Sequence, residues 1–327
     1  LLRIHAVDIV SKKADRALYE IYDLRTKTAQ RIIDEERKRD PGNLYYEYLE
    51  NWKQVIELLV YTDDERYKSY LESLDKRLER IMEEGDKTSP SYHILLGEIY
   101  AHASMANVMY GDYLPAFRKL LKAKRNAYKN VEDHPGYWLK DKQVGIMNVS
   151  FDKIPSVLRW LTNLFGLRGD AESGFRMMDQ YLSHVQDYPG LKSEILVYYV
   201  FGLRLSRDEG LAYELFAKEM DREQAPLLAL YLQASFMYMT GKNEEALNLI
   251  LSSKELPDEL VPYREMLIIL GYERTGRKAQ ALEHALRYFE DAPEELRYYV
   301  AYAMARLDED RQIWYSKMFE LAVNKDQ

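Results

Sequence analysis

Few residues in this chain are suited to chemistry, and their spacing limits what they can do. It has six histidines, His5, His93, His102, His134, His184 and His284, and no cysteine. Only His93 and His102 are near neighbours. Nine residues on a helix turn two rings about 180° apart, so these two do not share a metal ion. Glu98 and His102, four apart, share a face, and an ordinary helical ion pair is expected there. Gly169-Asp-Ala-Glu-Ser-Gly174 has the spacing of the first half of a phosphate loop, but Phe175-Arg176 stand where Lys-Ser/Thr is needed. An interhelical turn is expected instead, and Ser173 lacks the frame of a nucleophile elbow. Acidic runs such as Asp34-Glu35-Glu36 and Glu83-Glu84 sit among Arg and Lys and read as solvated faces. The lack of cysteine removes disulfides, thiolate zinc sites and a cysteine nucleophile. No catalytic, metal-binding or cofactor-binding residue is therefore expected. Paired carboxylates acting on a glycoside would have to converge from distant helices.

One basic constellation stands out. Arg118, Lys122, Arg125 and Lys129 follow the i, i+4, i+7, i+11 rule, with Phe117, Leu120, Leu121, Ala127 and Tyr128 on the other side of the same helix. It is a candidate surface for an anionic partner, and the competing expectation is the wet face of an amphipathic helix.

These side chains must be positioned by helices. The 327 residues include only 15 glycines and 10 prolines, while Glu, Lys, Leu and Ala abound. Asp40-Pro41-Gly42-Asn43, Ser89-Pro90, and the capping boxes Thr62-Asp-Asp-Glu65 and Ser206-Arg-Asp-Glu209 punctuate the chain. Gly85, Gly111, Gly136, Gly190, Gly241 and Gly276 fall where apolar periodicity breaks. About seventeen helices and no strand are expected. The longest uncharged run, Ala225 to Gly241, is too short to cross a bilayer and reads as a buried helix. A net charge of −8 argues against a chain-wide nucleic-acid or anionic-membrane surface. The chain opens on Leu1-Leu2, so a native start further upstream is expected. Absent cysteine leans towards the cell envelope but leaves the compartment open.

A repeat runs through this pattern. Thr240-Gly-Lys-Asn-Glu-Glu-Ala246 and Thr275-Gly-Arg-Lys-Ala-Gln-Ala281 lie 35 residues apart, Ala212 precedes Ala246 by 34, and the next step of 35 reaches Ser316. Gly111-Asp-Tyr-Leu-Pro-Ala116 and Leu24-Arg-Thr-Lys-Thr-Ala29 repeat the turn-then-small arrangement. A period near 34 with two helices per unit predicts a stacked helical-hairpin solenoid.

These residues resemble the tetratricopeptide-repeat superfamily, whose second helix opens on a small residue, with a bulky one four later and a proline twelve later. Ala29, Ile33 and Pro41 match all three, as does Ala281 at its proline, Pro293. Ala116 with Leu120, Ala212 with Phe216, and Ala246 with Ile250 match the first two. Ile154 to Phe175 is similar to a segment of the inclusion-body-clearance family of tetratricopeptide proteins, regarded as non-enzymatic scaffolds. The resemblance implies an all-α, right-handed superhelix of stacked antiparallel hairpins over 1–327. Residues 1–150 would form longer, less regular hairpins, 151–189 a connecting hairpin and 190–327 regular repeats.

It also implies a concave groove lined by the first helix of each unit. The family register places Glu194, Phe201 and Arg204 in one unit, Tyr231, Ser235 and Tyr238 in the next, Tyr263 and Glu273 in the third, and Tyr298 in the fourth. Tyrosine, present 28 times, grips a partner with a rigid ring at small entropy cost. The expected function is a non-catalytic scaffold binding a protein or peptide in this groove, without nucleic acid or cofactor. The alternatives are an enzyme on a helical toroid acting on carbohydrate, or a structural subunit of a larger cell-envelope assembly.

Overall fold

A computed structural model describes residues 9–61, 64–154, 165–219, 226–253, 261–292 and 294–323. Among these there are sixteen helices and no strand: α1 (Lys12–Tyr22), α2 (Thr26–Arg39), α3 (Tyr45–Tyr61), α4 (Asp64–Glu84), α5 (Pro90–Met109), α6 (Tyr113–Asp133), α7 (Lys140–Asp152), α8 (Ala171–His184), α9 (Pro189–Leu205), α10 (Glu209–Glu219), α11 (Leu227–Met239), α12 (Asn243–Leu251), α13 (Val261–Arg274), α14 (Lys278–Asp291), α15 (Glu294–Leu307) and α16 (Arg311–Val323). Thr62, Pro293 and residues 155–164 of the Ile154 to Phe175 segment fall outside the described residues, as do the side chains of Ala212, Phe216 and Tyr263.

The chain divides into two compact units, one of residues 1–59 and 63–219, the other of 60–62 and 220–327. The division therefore falls near 220. In the first unit α1 packs on both α2 and α9, α5 on α6, and α7 on α8. The Asp15 carboxylate of α1 accepts the Leu191 N–H at 2.9 Å and so satisfies an open amide at the start of α9. In the second unit α11 pairs with α12, α13 with α14 and α15 with α16, and the first helices of successive pairs also touch.

One turn recurs in both units. Leu24, Gly111, Arg207, Gly241 and Gly276 all take positive φ, between 59° and 80°. In each case the next residue donates its N–H to a carbonyl five positions back: Arg25 to Glu20, Asp112 to Asn107, Asp208 to Leu203, Lys242 to Met237 and Arg277 to Tyr272, at 2.8 to 2.9 Å. This left-handed helix stop satisfies the last open carbonyls and turns the chain back on itself. Five residues after the turn residue come Ala29, Ala116, Ala246 and Ala281, all 3% exposed or less. A small side chain there lets the second helix approach the first closely.

The spacing then slips. From Lys278 to Arg311, where α14 and α16 begin, there are 33 residues and not 35. Trp314 consequently takes the place of Ala281, while Ser316 is exposed, which corrects the extrapolated small residue. The last turn is built differently: Asp308 accepts the Trp314 indole N–H at 2.8 Å and the Asp310 N–H at 3.1 Å. A second correction concerns α10, whose amide at Leu211 is capped by Asp208 at 3.1 Å, because Ser206 belongs to the end of α9.

Candidate functional site

The residues expected to line a groove do not share one environment. In the second unit Tyr231 and Tyr238 are 1% and 2% exposed, and the Tyr238 hydroxyl donates to the Leu267 carbonyl at 3.1 Å. Glu194, in the first unit, is wholly buried. The expectation that these three contact a ligand is corrected: their helices are apolar on most sides, and the register points them inward. Phe201 and Arg204 are exposed, while Ser235, Glu273 and Tyr298 are half-buried.

In the second unit the accessible row keeps Ser235 and Glu273 of the expected one and departs from it at Tyr231 and Tyr238. On α11 only Leu228, Leu232, Ser235 and Met239 reach the surface, at i, i+4, i+7 and i+11. On α13 the partly open residues include Met266, Leu270 and Glu273, and on α15 the exposed ones include Tyr299, Tyr302 and Arg306. Glu273 and Arg306 form an ion pair, which brings the open faces of α13 and α15 to the same side. The second helices differ: α12 exposes Glu244, Glu245 and Asn248, and α14 exposes Gln280, Glu283, Arg287 and Glu290. The second helices are not purely polar, however: Leu251 on α12, Leu286 on α14 and Ile313, Tyr315 and Phe319 on α16 are exposed as well.

The basic stripe lies on α6 of the first unit as a continuous exposed face, with Arg118, Lys122, Arg125 and Lys129 all at the surface. Lys129 pairs with Asp133 at 2.8 Å, and the Lys122 ammonium sits 5.1 Å from the Tyr100 ring centre.

The least expected feature is a cluster of charges inside the first unit. Lys142 of α7 is 4% exposed and meets Glu194 of α9 at 2.7 Å and Glu98 of α5 at 3.1 Å. The Tyr48 hydroxyl donates to the other oxygen of Glu194. The rings of Tyr48 and Tyr198 lie 5.3 and 5.2 Å from the ammonium, so the cation sits in a cage of carboxylates and aromatic faces. Two buried carboxylates share one cation, and burial pushes the Glu194 carboxyl well above its ordinary 4.5. Burial also lowers the Lys142 ammonium.

His102 completes the cluster and corrects the expected helical ion pair. Its Nε2 is 3.7 Å from Glu98, beyond hydrogen-bond reach, and burial drives the imidazole well below its ordinary 6.5, so it is neutral. Nδ1 accepts from Asn51 at 3.3 Å, which leaves Nε2 to donate to the Tyr198 hydroxyl at 2.8 Å. Trp52 stacks on the ring at 4.2 Å.

Beside this cluster lies a cavity of about 20 Å³, lined among others by Tyr45, Tyr48, Glu98, Lys142, Tyr181 and Glu194. That is room for about one water molecule. The Tyr45 hydroxyl, buried and without a hydrogen-bond partner in the protein, would be such a water's neighbour. The arrangement can hold a proton and a water, but a sugar ring does not fit.

Sequence reasoning missed Lys142 and placed Glu194 on the surface. A usable signal existed: Glu194 and Glu98 are lone acids in helices that are apolar on all sides, as in Glu194-Ile-Leu-Val-Tyr-Tyr-Val-Phe. The phosphate-loop-like segment is a helix start, where Asp170 accepts the Ser173 N–H at 3.1 Å. Among the described residues no group of His, Asp and Glu is arranged to hold a metal ion, and no helix is long and apolar enough to cross a membrane. No model of a known protein family matches the chain, and no curated protein is similar to it.

Proposed function

We propose that the chain is a non-catalytic binding scaffold, a right-handed superhelix of stacked hairpins related to tetratricopeptide repeats, which holds an extended protein or peptide segment on its first-helix face. The accessible apolar row Leu228, Leu232, Met239, Met266, Leu270, Tyr299 and Tyr302 carries this reading, because it runs across first helices that touch one another and are tied by the Glu273–Arg306 ion pair. The recurring left-handed turn supports the repeat architecture. The carbohydrate-enzyme reading draws on the buried Glu98 and Glu194, with their shifted carboxyl and aromatic lining. It is the weaker of the two, since Lys142 stands between the acids and the space beside them suits one water.

The test is site-specific crosslinking in the native host. A photoreactive side chain replacing Leu232, Met266 or Tyr302 should yield one discrete adduct, and the same group at Glu283 or Arg287 none. Equal adducts from both faces, or none from the first helices, would overturn the proposal.

A further inference from the structure

Many cations on this protein answer to a carboxylate. Arg37 meets Glu50 at 2.8 Å, Arg80 meets Glu47 at 2.7 Å, Arg277 meets Glu244 at 2.7 Å, and Arg306 meets Glu273. The stripe on α6 departs from this. Among the described residues Arg118, Lys122 and Arg125 have no carboxylate within ion-pair distance, although the chain as a whole carries −8. Leu114, one turn before Arg118 on the same face, is 61% exposed, and the adjacent Tyr113 is 70% exposed. Alongside the stripe runs an open groove, with Leu121, Tyr128 and Phe165 as apolar walls and Lys124, Arg125 and Lys129 as cationic ones. Glu132 also lines it.

We propose that this face of α6 docks an acidic amphipathic helix of a partner protein. Its carboxylates would meet Arg118, Lys122, Arg125 and Lys129, and its apolar edge would enter the groove over Leu121, Tyr128 and Phe165. Charge complementarity selects the sign of the partner. The cations rise along α6 in steps of about 6, 4.5 and 6 Å, which a second helix bearing Glu at i, i+4, i+7 and i+11 reproduces. An extended chain, with same-side residues about 6.6 Å apart, drifts out of register with them. A recessed groove with apolar walls accepts inserted side chains, which a flat lipid surface does not supply.

The experiment uses the full chain and a labelled 18-residue helical peptide with Glu at those four positions and Leu along the neighbouring edge, followed by fluorescence anisotropy. Binding is expected to weaken as salt rises. Arg118→Glu combined with Arg125→Glu should weaken it by about tenfold or more, while Arg287→Glu on the second unit leaves it unchanged. Circular dichroism should show intact helicity in both variants, since all three residues are exposed. Equal binding of a scrambled peptide of the same composition would overturn the proposal. So would indifference to the double reversal, or tighter binding of phosphatidylserine vesicles or single-stranded DNA to the same residues. The surface is independent of the first-helix face in the second unit, so either proposal can fail without the other.

Discussion

At the scale of single residues, the buried Lys142 is the side chain on which most depends. Burying an ion costs several kcal/mol unless its partners are well placed, and breaking a buried pair costs about 3–5 kcal/mol, because a bare charge is left behind. Lys142→Met keeps the side-chain volume but leaves Glu98 and Glu194 without a cation. We expect a loss of about 3–5 kcal/mol at pH 8, measured by urea unfolding, and partial recovery at pH 5, where the raised Glu194 carboxyl takes up a proton more readily. Glu194 itself sets a pH dependence. Its folded value is raised, so above its ordinary 4.5 the unfolded chain releases a proton that the folded chain retains. The stability Glu194 contributes is therefore complete below pH 4.5 and is lost as pH climbs towards the folded value, by up to about 1.4 kcal/mol per pH unit. Glu194→Gln cannot ionise, and its stability profile should be flatter over that window. An unchanged slope would show that Glu194 is charged in the fold.

At the scale of elements, hairpins are made by a stop and a small residue. Gly241 and Gly276 occupy the left-handed position with φ of 80° and 77°, where a Cβ is unfavourable, whereas Arg207 pays that cost at 59°. Gly276→Ala should therefore lose about 1 kcal/mol, and Arg207→Gly should gain at most about 1 kcal/mol, in denaturant titrations. Effects of the same sign would contradict the shared turn. The turn was legible in Thr240-Gly-Lys and Thr275-Gly-Arg, because glycine advertises positive φ. Its occurrence at Leu24 and Arg207 was readable only from the small residue five positions on. The final hairpin escaped the pattern because Asp308 and Trp314 make a different turn, and the two-residue slip it introduces carries no marker in composition. Ser235 and Glu273 of the groove row are accessible, but its tyrosines on α11 miss the surface by a single position. One residue on a helix is a rotation of about 100°, enough to exchange Tyr231 and Tyr238 for Leu232 and Met239 at the surface.

At the scale of the whole molecule, the chain contains two compact units, each with its own core. That of the second includes Ile269, Ala285, Tyr288, Phe289, Val300, Met304 and Trp314. A core of this kind allows independent folding, so a fragment spanning 226–323 should be helical and melt cooperatively by circular dichroism. A non-cooperative melt would mean that it relies on the remainder of the chain.

The sequence alone determined the all-helical class, the hairpin repeat, the buried character of α11 and the exposed stripe on α6. These follow from short-range rules of turn chemistry and helical periodicity, which act within a few residues. Tertiary structure decided which tyrosines are covered, and it alone brought together Tyr48, Glu98, Lys142 and Glu194 from four helices. Desolvation and pairing depend on what packs against a side chain, and here the partners are up to 146 residues apart along the chain.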